Sequence, residues 1–393
     1  MAHEQIVAVD GVVTPQFQKV RDVFATSLDR GDELGGSVCV YDRGQIALDI
    51  WGGFRNLHRS RPWQRDTIVC MMSVAKAMAS LTLLVLVDQG AVNLDAPIAR
   101  YWPGFAQQGK DNLTIRQLLG HRTGVLFADA APVGSLYDWD VVVEAIERQP
   151  PEWPAARHGV YQSFTHGFLV GEIVRRVTGL TLGDYFRQRI AIPLGVDFHI
   201  GVPEADLKRV SDLNVNPENI TWGRVRDLST VPGRAWRPLP RGLNSLNTDA
   251  FRLAQFPSAS GHGNAASVAR VFAALGNDGI LDGVRILSSD TVSEIGKNQW
   301  ENPLPWDSRD FPMSDQTCRM GLGMFMAQPG ILPMGPNLRS YGHPGIGGAL
   351  GFVDPDRKIT FSYATSIMCE GAGSGRRCQA LVDALYESLQ YGS

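Results

Sequence analysis

Thr67-Ile-Val-Cys-Met-Met-Ser-Val-Ala-Lys-Ala-Met-Ala-Ser-Leu-Thr-Leu-Leu-Val-Leu-Val87 is the stretch on which the reading of this chain turns. It opens as a short β-type run, Thr67 to Met72, and passes without turn residues into a helical run that begins near Ser73. Ser73 and Lys76 are one helical turn apart and share a face. The nearest other charges are Asp66 and Asp88. The chain has only six lysines among 37 Lys and Arg, at 19, 76, 110, 208, 297 and 358. Five of them stand near charged, Gly, Pro or polar neighbours, as surface lysines do; Lys76 alone is set in an apolar run. Burying an unpaired cation costs several kcal/mol or forces it to give up its proton. A neutral lysine one turn from a serine hydroxyl is what a serine hydrolase uses to activate its nucleophile. Taken alone, the pair is equally a lysine snorkelling from the end of a buried helix with Ser73 as its cap. The rest of the chain has to choose.

The segments around this stretch fix the architecture. Pro15 to Arg30 reads as an amphipathic helix with Phe17, Val20, Val23 and Phe24 on one face. Two strands follow, Gly36 to Tyr41 and Gln45 to Trp51, joined by an Asp42-Arg43-Gly44 turn. Between 96 and 260 the chain is richer in Pro and Trp, with helices expected near 114–120, 138–148, 164–177 and 181–191 and its most loop-rich part at about 200–262. From Asn264 a helix returns the chain to β-type sequence at Leu350–Val353 and Ile359–Ala364, split by Asp354-Pro355-Asp356, and a helix over about 374–389 closes it. Strands at both ends and helices between them predict an α/β (α+β) fold. Its antiparallel sheet, flanked by helices, is formed by residues 1–95 and 263–393, with a mainly helical domain inserted at 96–262 that carries active-site loops.

Bulk properties exclude several classes. A length of 393 residues with 44% hydrophobic content supports a large core. A net charge of −3 and scattered basic residues give no footprint for nucleic acid. Five widely spaced cysteines, at 39, 70, 318, 369 and 378, form no C-x-x-C, which suggests reduced thiols and a cytoplasmic protein. The beginning of the chain lacks the charge and apolar run of a secretory signal, and the apolar run at 77–87 is too short to span a bilayer. The eight histidines show no metal-ligand spacing and no phosphate loop is present, so neither metal nor cofactor is expected. No G-x-S-x-G occurs, which removes the nucleophile elbow of α/β-hydrolases.

Two distant segments join the Ser73-x-x-Lys76 pair. Tyr161-Gln162-Ser163 precedes the helix that starts at Phe164. His343-Pro344-Gly345 lies between Tyr341-Gly342 and Ile346-Gly-Gly-Ala-Leu-Gly-Phe352. In this order the chain resembles the serine β-lactamase and penicillin-binding-protein superfamily, from about residue 15 to 390, and its H-x-G form points to the family VIII carboxylesterase branch. Leu118-Leu-Gly-His-Arg-Thr-Gly124 and Gly171 to Gly179 are similar to the family too, without carrying chemistry. The resemblance implies Ser73 as nucleophile and Lys76 and Tyr161 as the proton-transfer pair, with either as the base. It also implies the backbone N–H groups of Ser73 and Ile346 as an oxyanion hole. His343 then stands where antibiotic-hydrolysing relatives hold a Lys for the substrate carboxylate. Ser163 stands where class C enzymes hold an Asn that contacts the amide. Pro344, unable to donate to a ladder, marks a cleft-lining edge, and Gly345 leaves room for the acyl group.

These departures point to a serine carboxylesterase acting on a small, neutral, short-chain or aryl ester, with Phe127, Tyr137, Trp139, Trp222, Trp236 and Phe256 as candidates for its apolar pocket. Acyl transfer, amide or β-lactam hydrolysis at the same site is the nearest alternative. A non-catalytic binding protein of the same fold is a third reading, at odds with the presence of Ser73, Lys76 and Tyr161. The oligomeric state stays open.

Overall fold

The computed structural model describes residues 8–154, 156–215, 220–242, 245–303, 313–369 and 374–390. Eight antiparallel strands form the main sheet. Their spatial order is Val9–Val13, Gln45–Gly53, Gly35–Asp42, Ile359–Thr365, Leu350–Asp354, Tyr341–Pro344, Phe325–Met326 and Arg319–Met320. The seam between the two parts of the chain lies mid-sheet, where Val38 pairs with Tyr363 and Val40 with Phe361. Both strands at that seam are buried nearly end to end, so the sheet must be covered on both faces. Helices Gln18–Asp29 and Gly375–Gln390 pack on one face through Phe17, Phe24, Leu381 and Leu385. Helix Ala265–Gly276 covers the other through Val268, Val271 and Phe272.

The run that begins at Thr67 joins a different sheet. Ile68–Cys70 sits in a small four-stranded sheet, antiparallel to Gly261–Gly263 and parallel to Val210–Ser211, with Phe198–Ile200 on the far side. That strand delivers the chain into helix Val74–Asp88. From Val74 to Leu86 every residue of this helix is buried, and an apolar sequence with no polar face requires just that. Helix Thr165–Thr178 and strand Tyr341–Pro344 pack against it.

Residues 200–262 are more structured than expected. They hold helices Ile220–Arg226, Val231–Ala235 and Asp249–Leu253 as well as two short strands. None of these helices exceeds seven residues, too few for an apolar period to show. Their start signals are local instead: Thr230 and Thr248 each accept a hydrogen bond from the third backbone N–H of the following helix.

Lys110 departs from its expected surface position. It is fully buried, donating to the carbonyls of Glu147 (2.8 Å) and Gln149 (2.6 Å) at the C-terminal end of helix Trp139–Arg148. A cation there satisfies carbonyls that the helix leaves unpaired. Its polar neighbours in sequence concealed a contact some forty residues away.

His158 is buried, and so are four further histidines, His121, His166, His262 and His343. Burial is the first cause that lowers each of these four, His262 to about 4 and His343 to about 3. Below pH 6.5 the unfolded chain takes up protons that the native state refuses, so stability is complete above that pH and declines as the medium is acidified. Glu33 and Asp49, raised by burial, act in the opposite sense, but they are two against four. The urea midpoint is therefore expected to fall steeply between pH 7 and 5, each imidazole contributing up to about 1.4 kcal/mol per pH unit. A midpoint that stays flat over that interval would contradict this account.

Gly345 supplies a second expectation. A Cβ there would lie 2.3 Å from the carbonyl oxygen of Met71, two residues ahead of Ser73. Gly345→Ala should cost about 1–3 kcal/mol through overpacking. Gly223→Ala, inside helix Ile220–Arg226 with nothing within 4 Å, should by contrast raise the unfolding midpoint slightly, since alanine is the better helix former.

Candidate active site

Ser73 stands at the junction between the small sheet and the buried helix, as that helix's N-cap, and its side chain does not cap it. The residue before it, Met72, is held at φ 49°, a conformation that side-chain-bearing residues rarely adopt and one that is costly unless surrounding structure imposes it. Its neighbours on both sides are tied down: Met71 donates to Gly261 and Val74 to Met71. The chain thus turns sharply at Ser73 and leaves the hydroxyl free of the helix.

Lys76 Nζ lies 3.2 Å from Ser73 Oγ and donates to the carbonyl of Ser258 at 2.7 Å. Its side chain is fully buried. Desolvation alone drives its basicity well below that of an ordinary lysine, because the surroundings offer no carboxylate to hold the ammonium. A neutral amine has two N–H donors and one lone pair. One donor goes to Ser258, and the lone pair is available to the Ser73 hydroxyl.

Tyr161 closes the third side. The Lys76 amine sits 4.9 Å from the centre of its ring. Burial raises the Tyr161 phenol above its ordinary range, offset in part by Ser73. The hydroxyl is near Ser73 without making a hydrogen bond of full geometry. The structure therefore brings Ser73, Lys76 and Tyr161 together from segments 88 residues apart in sequence.

His343 and Gly345 take different places from those expected. The His343 ring is buried behind Tyr161, 5.7 Å from it and 5.3 Å from Phe325, with Nδ1 on the carbonyl of Pro344 at 2.7 Å. It buttresses Tyr161 and does not line the cavity in front of Ser73. Gly345 permits the close approach of its own strand to Met71 described above, and is likewise not part of the cavity wall. Pro344 and Ile346 do line it. The strand carrying them lies inside the sheet, but its pairing with Phe325–Met326 stops at Gly342. Pro344 has no ladder partner on that side, so the strand has a local edge there.

Ser163 lines the cavity as well, and its hydroxyl accepts from the indole N–H of Trp236 at 3.1 Å. The cavity measures about 160 Å³. Among the described residues no charged side chain lines it; its polar side chains are Ser73, Tyr161, Ser163 and Thr221. Of the six aromatics singled out in the sequence, Phe127, Trp222 and Trp236 face it. Phe256 packs behind Trp236 at 5.7 Å, Trp139 donates to Glu172, and Tyr137 is exposed on another surface.

Three further residues support the site. The Ser258 carbonyl holds Lys76, and a backbone acceptor of that kind leaves no trace in side-chain chemistry. His121 accepts the backbone N–H of Gln162 at Nδ1 (3.0 Å) and packs 5.1 Å from Tyr161. His166 stacks on His121 at 4.1 Å and bonds the Ser80 hydroxyl at 3.0 Å. His121 belongs to the Leu118–Gly124 stretch, whose role is thus to hold the Tyr161 segment in place. The described residues contain no cluster of His, Cys, Asp and Glu able to hold a metal, and none of their helices is long and apolar enough to cross a membrane.

Comparison with known proteins places this geometry. Residues 20–382 match the beta-lactamase family. The esterase/beta-lactamase LipL of Mycobacterium tuberculosis is 30% identical over 364 residues, covering 90% of this chain and 82% of LipL. The crystal structure of a family VIII carboxylesterase superposes with a TM-score of 0.86 at 31% identity, over 97% of this chain and all of that one. A penicillin-binding protein homolog from Caulobacter crescentus gives 0.84, also at 31% identity, over 97% and 100% of the two chains. The chain belongs to the beta-lactamase family, as a serine hydrolase of the branch that contains the family VIII carboxylesterases.

Proposed function

We propose that this protein is a carboxylesterase that hydrolyses small neutral esters through an acyl-enzyme on Ser73. The observation that carries the proposal is the uncharged cavity in front of a Ser–Lys–Tyr cluster whose lysine is desolvated. Esterase names among the relatives, such as LipL and the esterase EstB of Burkholderia gladioli, which is 27% identical over 283 residues, support it.

In acylation the Lys76 lone pair takes the Ser73 proton as Oγ attacks the ester carbonyl. The backbone N–H groups of Ser73 and Ile346 receive the tetrahedral oxyanion. The intermediate collapses as the leaving alkoxide takes a proton from the Tyr161 phenol, which the Lys76 ammonium replenishes. A water molecule then attacks the acyl-enzyme and loses its proton to the same pair, and Ser73 recovers its own. Lys76 is the better base because burial weakens its hold on a proton, whereas burial makes the Tyr161 phenol harder to ionise. His343, buried and uncharged, provides no cation for a substrate carboxylate. Neutral esters are thereby favoured over penicillins.

Ser73→Ala should abolish p-nitrophenyl butyrate turnover and fluorophosphonate labelling, a loss of roughly a thousandfold or more. Retained turnover would remove Ser73 from the reaction. Lys76→Ala and Tyr161→Phe should each lose roughly 10²–10⁴. Wild-type activity should decline on the acid side as Lys76 becomes protonated, since only its neutral form accepts the serine proton. Penicillin turnover faster than ester turnover would move the substrate class from esters to β-lactams.

A further inference from the structure

The Ser163 hydroxyl at the cavity wall has a partner within the protein. It accepts the Trp236 indole N–H at 3.1 Å, and both residues line the cavity in front of Ser73. Trp236 is held from behind as well. Its ring meets Phe256 at 5.7 Å, Phe164 at 6.0 Å and Trp222 at 6.2 Å, all edge-on, and it is 5% exposed. A ring fixed by one hydrogen bond and three aromatic neighbours is a rigid wall.

Phe127, which also lines the cavity, is fixed by a separate device. The Arg234 guanidinium lies 3.7 Å from the centre of the Phe127 ring and bonds the carboxylates of Asp129 (2.9 Å) and Glu152 (3.1 Å). That clamp joins the short helix Val231–Ala235 to the segment around Phe127 and pairs the Arg234 charge with two carboxylates. The cavity opens to solvent on one side, and its volume of about 160 Å³ is close to the roughly 150 Å³ of an apolar cavity that accepts benzene. An acyl group that extends towards Trp236 meets a ring held by that hydrogen bond and those aromatic contacts.

We propose that Trp236, latched to Ser163, is a specificity-determining residue that limits the acyl group to about the size of a butyryl or benzoyl unit. This inference rests on ester hydrolysis at Ser73. It assigns Ser163 to holding the wall in place of contacting the substrate.

The test is a p-nitrophenyl ester series from acetate to decanoate, read as the ratio of kcat/KM for decanoate to that for butyrate. Trp236→Ala should raise the ratio by roughly tenfold or more, since each methylene admitted to an apolar pocket is worth about that factor. Trp236→Phe, which drops the N–H and keeps an aromatic ring, should raise it less, as should Ser163→Ala, which releases the latch alone. Thermal unfolding checks that each variant is folded, and the two milder substitutions keep the test decisive if Trp236→Ala is not. Labelling rates with short- and long-chain alkyl fluorophosphonates should follow the same order. Ratios unchanged in all folded variants would overturn the proposal while wild-type butyrate turnover leaves the esterase reading intact. A Ser163→Ala variant that raises KM equally at every chain length would overturn it too, since that is the mark of a substrate contact. A wild type inactive on the whole series would bring down both readings.

Discussion

The burial of one amine organises this protein. Lys76 is carried into the interior by a helix with no polar face, and no carboxylate among the described residues meets it there. Desolvation therefore weakens its hold on a proton. An ion pair in the same place would have restored an ordinary ammonium and removed the lone pair. The Ser258 carbonyl and the Tyr161 ring face satisfy the nitrogen without charging it. Its surroundings follow the same rule: burial keeps the imidazoles of His121, His166 and His343 uncharged, and among the described residues no charged side chain lines the cavity. The fold supplies a low-dielectric box in which small proton movements between Ser73, Lys76 and Tyr161 have large consequences.

What the sequence disclosed is what the local pattern could carry. The apolar setting of Lys76 announced its burial, because nearly every neighbour within ten residues is apolar. The hairpin at 36–51, the strand pair at 350–364 and the long helices showed through their periods. The Ser–Lys pair, Tyr161 and the H-x-G strand were legible through order along the chain and family likeness, and Ser73, Lys76 and Tyr161 do converge.

What the sequence hid depends on contacts between segments. Lys110 looked like a surface residue because its own neighbours are polar, yet its acceptors are Glu147 and Gln149. His343 has the right place in the motif, but only the packed structure shows its ring turned behind Tyr161. Gly345 was read as space for a substrate and is instead space for the Met71 carbonyl. Ser163 kept its place at the cavity while its hydrogen bond went to Trp236, a residue 73 positions later. The short helices between 220 and 253 are each two turns or fewer, and for two of them a threonine cap is the local signal.

The mid-sheet seam between Gly35–Asp42 and Ile359–Thr365 has a consequence for how the protein comes into being. The strand that carries Pro344 and Ile346 to the site is held in place by Leu350–Asp354, which in turn is held by that seam. Ser73 and Lys76 are synthesised some 270 residues before the strand that completes their cavity. During translation the apolar helix must wait, partly uncovered, for its last cover. Pairing over such a separation is slow to form, because the closure entropy of the whole intervening chain is lost before the contacts repay it. Reactivity therefore arises as a property of the finished chain, and a nascent fragment bearing the serine and lysine lacks the strand that would make them a site.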